Sequence, residues 1–221
     1  MLRYLLVTYS TNKRKIINDP VYGFISIPGD FIFDLIEHQW FQRLRNIKQL
    51  GLTSFVYPGA NNSRFQHCLG ALYLMDQAIK TLRAKKVQIS EEEEEAAYIA
   101  ILLHDCGHGP FSHALENSII SGISHEDLSL LLMNLMNVEF KGRLSLAIDI
   151  FLGKYKRRFL HELITGQMDM DRLDYLRRDS FFTGVIEGSV GSDRIIRMLN
   201  VIDDRLVIDE KGIYSLEKFL I

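Results

Sequence analysis

The sequence is poor in several features whose scarcity narrows the class of protein. Its 221 residues include only two cysteines and four prolines, and no apolar run approaches the roughly 20 residues that cross a bilayer. Two cysteines argue against a disulfide framework, so we expect a cytoplasmic protein. Residues 1–7 are too short an apolar stretch for a secretory signal, and we expect no membrane partner.

The chain also lacks an excess of either charge. It has 26 Lys and Arg residues against 28 Asp and Glu, a formal net charge of −2 that gives no general attraction to nucleic acid or membranes. Hydrophobic residues make up 47% of the chain, enough for the core of one large domain.

Hydrophobic periodicity predicts a mainly α fold with small β additions. Alternating residues and turn formers around Val21–Ile27 predict one or two short strands. From Phe31 to Leu50, apolar residues recur every three or four positions, which predicts one amphipathic helix ended by Gly51. A second helix is expected from about 63 to 82.

The clearest helix start lies further along the chain. Ser90 and Glu93 form a capping-box pair, and the apolar run Ala96–Leu103 then predicts a buried helix with His104 and Asp105 at its end. Further helices are predicted at 126–136, 143–152, 158–164, 168–178 and 192–198. For the tail, we predict a hairpin whose turn is 209–212, between strands at 205–208 and 213–214.

The histidines are strongly clustered. Five of the seven, at positions 67, 104, 108, 113 and 125, fall between residues 67 and 125. Imidazole and carboxylate together can hold a divalent cation and leave coordination positions open for water and substrate. Adjacent helix residues point about 100° apart, so His104 and Asp105 need further ligands from other helices. Two histidines and two carboxylates suit Fe, Mn, Mg, Ni or Zn.

Several longer motifs follow one another between about residues 18 and 185. They are Phe41–Gly51, Tyr57–Ala60 with Arg64–His67, His104–His113, Ser124–Glu126, and Asp171–Tyr175 with Arg178–Asp179. In this order they resemble the HD-domain metal phosphohydrolases, in particular the deoxynucleoside-triphosphate triphosphohydrolase branch of dGTPase-like and sterile-alpha-motif/HD enzymes. The resemblance implies an HD-domain helical bundle with short N-terminal strands and a small C-terminal β-hairpin.

The resemblance also implies a role for each matching residue. One divalent metal ion would be held by His67, His104, Asp105 and Asp171. The phosphates would be lined by His108, His113 and His125, with His113 favoured as the general acid. Phosphate charge would be neutralised by Arg64 and Arg172, and Tyr175 and Asp179 would meet the sugar. Gln49 and Leu50 would pack beside sugar and base.

The implied reaction is hydrolysis of a deoxynucleoside triphosphate at the α-phosphorus, giving a deoxynucleoside and triphosphate. Two alternatives stay open: an HD phosphatase or phosphodiesterase acting on another nucleotide, and a non-catalytic nucleotide-binding module. Glu37, Gln42 and Arg45 match a regulatory nucleotide site of the family, although helix packing and ion pairing explain them equally well.

The family pattern suggests three segments. These are an N-terminal extension with short strands (1–30), an HD phosphohydrolase domain (31–200), and the start of a C-terminal region that we expect to be truncated (201–221). In the family, further helices carry much of the oligomer interface, so we expect a homo-oligomer at full length.

Some notable residues have simpler interpretations. Asp174 and Arg178 are four apart and predict an ordinary helical ion pair. Cys68 and Cys106 are expected to be buried packing groups. His38 and His161 lie outside every motif and are expected at the surface or in packing.

Overall fold

The computed structural model describes residues 15–111, 122–186 and 191–220. Its described elements are β1 (Ile16–Asp19), β2 (Gly23–Ser26), α1 (Asp30–Glu37), α2 (Gln39–Gln42), α3 (Arg64–Ala84), α4 (Glu91–Leu103), α5 (His125–Glu139), α6 (Ser145–Phe151), α7 (Arg158–Glu162), α8 (Met170–Thr183), α9 (Ser192–Met198), β3 (Leu199–Ile202), β4 (Arg205–Ile208) and α10 (Ile213–Leu220). The predicted mainly α class is confirmed. Within the described ranges, no helix is both long and apolar enough to span a bilayer.

The N-terminal strands pair as an antiparallel hairpin. Ile16 is opposite Ser26, and Asp19 is opposite Gly23. The Asp19 carboxylate accepts hydrogen bonds from the backbone N–H groups of Val21 (2.9 Å) and Tyr22 (3.0 Å), which closes the turn. The predicted short strands are therefore confirmed.

The single helix predicted for residues 31–50 is wrong. His38 has an extended backbone (φ −65°, ψ 139°) between α1 and α2, and its Nδ1 accepts from the Trp40 N–H at 3.4 Å. A side-chain acceptor for a free helix N–H acts as an N-cap, so a new helix starts here. Two 3₁₀ turns follow, Arg43–Asn46 and Gly51–Phe55. The apolar periodicity correctly selects buried residues but not the breaks between them.

Serine caps begin the three helices α3, α4 and α5. The side chains of Ser63, Ser90 and Ser124 each accept a hydrogen bond from the backbone N–H three residues later. The side chain of that later residue in turn accepts from the backbone N–H of the serine. Each box satisfies two helix-end N–H groups that would otherwise lack partners. The capping box predicted at Ser90 is thus confirmed, and α3 starts within a residue of its predicted position.

The core lies where α3 packs against α4 and α8. All eight residues of Ala96–Leu103 are buried, as predicted. Full burial of a Leu or Ile side chain stabilises a fold by about 1.5–3 kcal/mol. This packing fixes the C-terminal end of α4 against the first turns of α3.

The predicted C-terminal hairpin is misplaced. β3 pairs with β4 around a turn at Asp203 and Asp204, with Leu199 opposite Ile208. Both turn residues have positive φ (49° and 60°), which suits the twist of a two-residue hairpin turn. Residues 210–212 instead form a 3₁₀ turn that leads into α10. Aspartate tolerates the left-handed region, which is why Asp-Asp can turn the chain without glycine.

Candidate metal centre

Three helices bring the predicted metal ligands to one place. His67 lies in the first turn of α3, and His104 and Asp105 directly follow α4. Asp171 is in the first turn of α8, whose start is fixed by Asp169, which accepts from the Arg172 N–H at 2.6 Å. The four side chains therefore come from elements that are already locked by capping and core packing.

The donor atoms of these residues converge. His67 Nε2 lies 3.0 Å from Asp171 Oδ1 and 3.4 Å from His104 Nε2, and His104 Nε2 lies 3.5 Å from the same Asp171 oxygen. Asp105 approaches from the other side, with Oδ1 3.5 Å from His104 Nε2 and Oδ2 3.8 Å from His67 Nε2. The donor atoms of His67, His104 and Asp171 could together hold one ion, and Asp105 lies beside them.

The separations between the donors fit a cation. With metal–ligand bonds of about 2.1 Å, neighbouring donors lie about 3.0 Å apart in an octahedral shell and about 3.4 Å apart in a tetrahedral one. The closest separations here, 3.0 to 3.5 Å, cover that range. Two imidazoles and two carboxylates are also a donor set that divalent first-row metals accept.

Hydrogen bonds on the far side of each ring orient the two histidines. His104 Nδ1 lies 2.6 Å from the Ile101 carbonyl, which can only accept, so Nδ1 carries the proton and Nε2 faces the cluster. His67 Nδ1 lies 2.8 Å from Asp174 Oδ2, which has the same effect when that carboxylate is ionised. Such partners fix the tautomer and ring direction that a metal ligand needs.

The electrostatics favour ionised carboxylates next to the imidazoles. Burial disfavours the imidazolium of His67, but the bonds to Asp171 and Asp174 outweigh burial and raise its pKa to about 10. Burial likewise opposes ionisation of Asp171, yet His104 and His67 hold its pKa well below its ordinary value. The pKa of Asp105 is lowered in the same way against its burial, with His104 the largest favourable contribution. A cation that enters this cluster must displace protons from the imidazoles.

Asp105 has two further neighbours. Arg64 Nη1 donates a short hydrogen bond to Asp105 Oδ2, and His108 Nδ1 lies 3.2 Å from Oδ1. Arg64 is buried, so the predicted phosphate-neutralising side chain already balances a carboxylate of the cluster. The His108 ring lies 4.0 Å, centroid to centroid, from the ring of His125. The other predicted phosphate-lining residue, His113, lies outside the described residues.

Gly107 lets α5 approach the His-Asp segment. Its N–H donates to Ser129 Oγ at 2.8 Å. A Cβ at position 107 would lie 2.2 Å from the Ser129 backbone nitrogen and 2.4 Å from the His125 carbonyl oxygen. Only glycine fits between these backbones, and this contact sets His125 beside His108.

The Asp174–Arg178 ion pair has more neighbours than its sequence spacing suggests. The predicted pair is present, with Arg178 Nε 2.9 Å from Asp174 Oδ2, but both side chains are fully buried. Arg178 also reaches Asp19 of β1, and Asp174 reaches His67. The Asp19 contact could not be predicted, because nothing in local spacing links residues 159 positions apart.

The predicted sugar-side residues lie beside the segment after α2. Asn62 donates to Asp179 Oδ1 at 2.8 Å, and the Gln49 N–H donates to the Asn62 carbonyl at 2.9 Å. Burial raises the pKa of the Asp179 carboxyl. Asn62 was not among the predicted site residues. Its neighbours in the sequence belong to a motif, which is the only signal that could have found it.

The remaining predicted substrate-binding and regulatory residues lie in less distinctive surroundings. Leu50, Arg172 and Tyr175 are half-buried. At the predicted regulatory position, Gln42 donates to the Ile36 carbonyl at 2.7 Å, and Arg45 donates to Gln42 Oε1 at 2.7 Å while stacking on Phe65; Glu37 is exposed. The contacts of Gln42 and Arg45 are of the kind expected if these residues serve helix packing, the alternative to a regulatory nucleotide site.

The remaining simple interpretations agree with the structure. Cys68 and Cys106 are buried and free, as predicted for packing groups. His38 contacts Glu139 at 3.2 Å, and His161 Nδ1 lies 3.0 Å from the Ile150 carbonyl.

This fold and cluster define a helical protein with a His-Asp site suited to a divalent cation. A family model described as the HD domain matches residues 64–179, more than half of the chain, and the protein belongs to the HD-domain family. The predicted family is therefore confirmed.

Named relatives extend this result. A phosphohydrolase structure from Bacteroides thetaiotaomicron has a TM-score of 0.92 and 62% identity, over 94% of this chain and 51% of that one. The deoxynucleoside triphosphate triphosphohydrolase SAMHD1 homolog of Dictyostelium discoideum is 36% identical over 94% of this chain and 44% of its own length. Human SAMHD1 is 32% identical over 94% of this chain and 40% of its own. The chain thus spans about half the length of these relatives, or less.

Proposed function

We propose that the protein is a metal-dependent hydrolase of deoxynucleoside triphosphates. Water attacks the α-phosphorus, the bond from that phosphorus to the 5′ oxygen breaks, and the products are a deoxynucleoside and inorganic triphosphate. The observation that carries the proposal is the convergence of His67, His104, Asp105 and Asp171 in a chain of the HD family. The names of the SAMHD1 relatives support the choice of substrate.

His67, His104, Asp105 and Asp171 would hold the cation. When bound, a divalent ion lowers the pKa of a coordinated water and offsets charge on the phosphoryl oxygens. Arg64 and Arg172 would add positive charge beside the phosphates, where a water-poor site makes each charge more effective.

The leaving 5′ oxygen needs a proton as its bond to phosphorus breaks. Histidine is suited to this step because its ordinary pKa lies near neutrality. We propose that His108, His113 and His125 line the phosphates and that His113 donates the proton. The close contact between the His108 and His125 rings, with His108 beside Asp105, supports this use of the histidine segment.

The sugar would be met by Asp179 and Tyr175, with Gln49 and Leu50 beside it. Two buried acceptor atoms support this side of the proposal. Gln49 Oε1 and Asn62 Oδ1 have no hydrogen-bond partner within the described ranges. A buried acceptor without a donor is costly, and a sugar hydroxyl is one donor that would satisfy it.

The test is incubation of the protein with each deoxynucleoside triphosphate and Mn²⁺ or Fe²⁺, followed by chromatography of the products. We expect inorganic triphosphate and the deoxynucleoside. Release of orthophosphate would instead indicate an HD phosphatase. A monophosphate formed in a parallel incubation with a cyclic nucleotide would indicate an HD phosphodiesterase. Binding of the nucleotide without any product would indicate a non-catalytic module.

Three further predictions belong with this proposal. We propose that a regulatory nucleotide binds near Glu37, Gln42 and Arg45, and that the full-length protein is a homo-oligomer in the cytoplasm. Activity that rises with a second, non-hydrolysed nucleotide would support the first of these, and loss of that response in Arg45→Ala would locate it.

A further inference from the structure

A buried network of ionic hydrogen bonds runs from the N-terminal hairpin to the candidate metal ligand His67. Arg178 is at its centre. Its Nη1 donates to Asp19 Oδ2 at 2.7 Å, and its Nη2 lies 3.3 Å from Asp19 Oδ1. On its other side, Nε and Nη2 donate to the two oxygens of Asp174 at 2.9 and 3.1 Å.

Asp174 then passes this constraint to the cluster. The oxygen that accepts from Arg178 Nε, Oδ2, is also the one that lies 2.8 Å from His67 Nδ1. The position of this oxygen therefore depends on Arg178, and the direction of the His67 ring depends on this oxygen. Asp174, Arg178 and His67 are all inaccessible to solvent, so water cannot replace a lost partner.

A buried guanidinium needs both of its partners. The cost of desolvating an arginine is several kcal/mol unless charges and hydrogen bonds compensate it. Asp174 and Asp19 supply this compensation for Arg178 from its two sides. If Asp19 lost its charge, Arg178 would be free to shift from its two-armed contact with Asp174, since only that carboxylate would then hold it.

Helix α3 packs tightly against this network of hydrogen bonds. Gly70 of α3 lies against the pair, and a Cβ at this position would be 1.9 Å from Asp174 Oδ1 and 2.2 Å from Arg178 Nη2. The absence of a side chain lets α8 approach α3 closely enough for Asp174 to reach His67, one helical turn before Gly70.

We propose that Asp19 is a positioning residue of the metal centre, which acts through Arg178 and Asp174 to hold the His67 ring in its ligating orientation. The inference rests on the proposed function only in that the cluster binds a divalent cation. The hairpin β1–β2 then determines metal affinity although it provides no ligand.

The rival explanation is that Asp19 only anchors the hairpin, since it also closes the β1–β2 turn. The substitution Asp19→Asn separates the two roles. The asparagine Oδ1 can still accept from Val21 and Tyr22, but the charge that faces Arg178 is gone. Asp209→Asn is the matched control. It removes the same charge from an ion pair with Lys85, which lies at the opposite end of α3 from His67.

The experiment measures the Mn²⁺ dissociation constant of each purified variant by titration, and its stability separately by urea unfolding in a chelator. Outer partners of metal ligands typically change metal affinity by 10- to 100-fold. We expect binding about 100-fold weaker in Asp174→Asn and about 10-fold weaker in Asp19→Asn. Asp209→Asn should bind as the wild type does.

The double variant Asp19→Asn/Asp174→Asn tests the route of the effect. If Asp19 acts through Asp174, adding Asp19→Asn to Asp174→Asn should weaken binding by less than about twofold, since coupled residues are not additive. Wild-type Mn²⁺ affinity in a less stable Asp19→Asn would overturn the proposal in favour of a purely structural role.

Two other outcomes are equally informative. If Asp19→Asn does not fold, Arg178→Lys keeps the buried charge but not the two-armed bonds, and it should also bind Mn²⁺ more weakly. If neither variant folds while Asp209→Asn does, the network of Asp19, Arg178 and Asp174 is needed for folding rather than for metal binding, and the proposal fails. Weakened metal binding in a protein that makes no triphosphate would sink the proposed reaction but not this inference.

Discussion

The metal side of the site and its outer rim are built differently. His67 is fully buried, and polar groups lie within hydrogen-bonding distance of both of its ring nitrogens. The outer rim is the segment 51–57, which begins with the 3₁₀ turn Gly51–Phe55 and follows Gln49 in the chain. It exposes Phe55 at 84% and Val56 at 76%, and the neighbouring Phe111 is 41% exposed. The metal side is determined by the fold alone, whereas the apolar rim has much of its surface uncovered.

This contrast separates two kinds of functional residue. Ligands of an ion must be preorganised to within tenths of an ångström, and His67, His104 and Asp105 each have a supporting partner. Residues that meet a nucleotide or another chain can complete their contacts only when that partner arrives. Substitutions on the two sides should therefore differ both in size and in which property they change.

The largest effect should come from a metal ligand. Asp171→Ala removes an anionic donor that lies 3.0 Å from His67 Nε2. We expect metal affinity to fall by more than about 100-fold, beyond the usual effect of an outer partner, and activity to be lost with it. Metal analysis of the purified protein measures this, with Asp193→Ala, an exposed aspartate paired with Arg177, as the control. Equal metal content in Asp171→Ala and wild type would remove this carboxylate from the ligand set.

Gly70→Ala tests how tightly the metal side is packed. Alanine is favoured over glycine in a helix interior by about 1 kcal/mol, so propensity alone predicts stabilisation. Because the new Cβ would collide with Asp174 and Arg178, we instead expect a loss of about 2 kcal/mol in the free energy of unfolding. Urea unfolding decides between them. Gly191→Ala, where a Cβ meets only Arg194 at 4.0 Å, should show no such loss.

Glu93 offers a smaller, pH-dependent effect at the opposite end of α4. Burial raises its pKa, but hydrogen bonds from the Ser90 N–H and the Tyr155 hydroxyl lower it overall. Its stabilising contribution is therefore full above the ordinary glutamate pKa and is lost as pH falls through the lowered value. We expect Glu93→Gln to cost about 1 kcal/mol near neutral pH. The difference in the free energy of unfolding between the two proteins should shrink from pH 7 to pH 3, and a constant difference would show that the Glu93 charge is not its cause.

The smallest effect should come from the rim. Phe55 contributes little to the core, so Phe55→Ser should change stability by less than about 0.5 kcal/mol and leave Mn²⁺ affinity unchanged. Phe41 belongs to the apolar pattern that begins at Phe31 and is buried. Phe41→Ala should therefore lower the free energy of unfolding by about 3–5 kcal/mol. A large loss in Phe55→Ser would show that the two sides of the site do not differ as described.

The sequence predicted correctly those elements whose signals lie within a few neighbouring residues. The capping-box pair Ser90/Glu93 and the apolar run before His104 correctly predicted α4, because both signals act within a few residues. Periodicity could not show that His38 would cap a new helix, since burial is the same on either side of the break. In the tail, Asp209–Gly212 has the composition of a turn, but Asp203–Asp204 forms it.

The site shows the same limit. The four candidate ligands could be selected from the sequence because the motifs contain them, and histidine together with carboxylate is typical of metal sites. The contacts of Arg178 with Asp19 and of Asn62 with Asp179 could not, because they join segments more than 100 positions apart. Supporting residues of this kind become visible only when the chain is folded.

The most direct test is anomalous diffraction from crystals of the protein soaked in Mn²⁺. We expect one strong peak within coordination distance of His67 Nε2, His104 Nε2 and an oxygen of each of Asp105 and Asp171. Mn²⁺ bound elsewhere, with these four side chains unchanged and without an ion between them, would contradict this expectation.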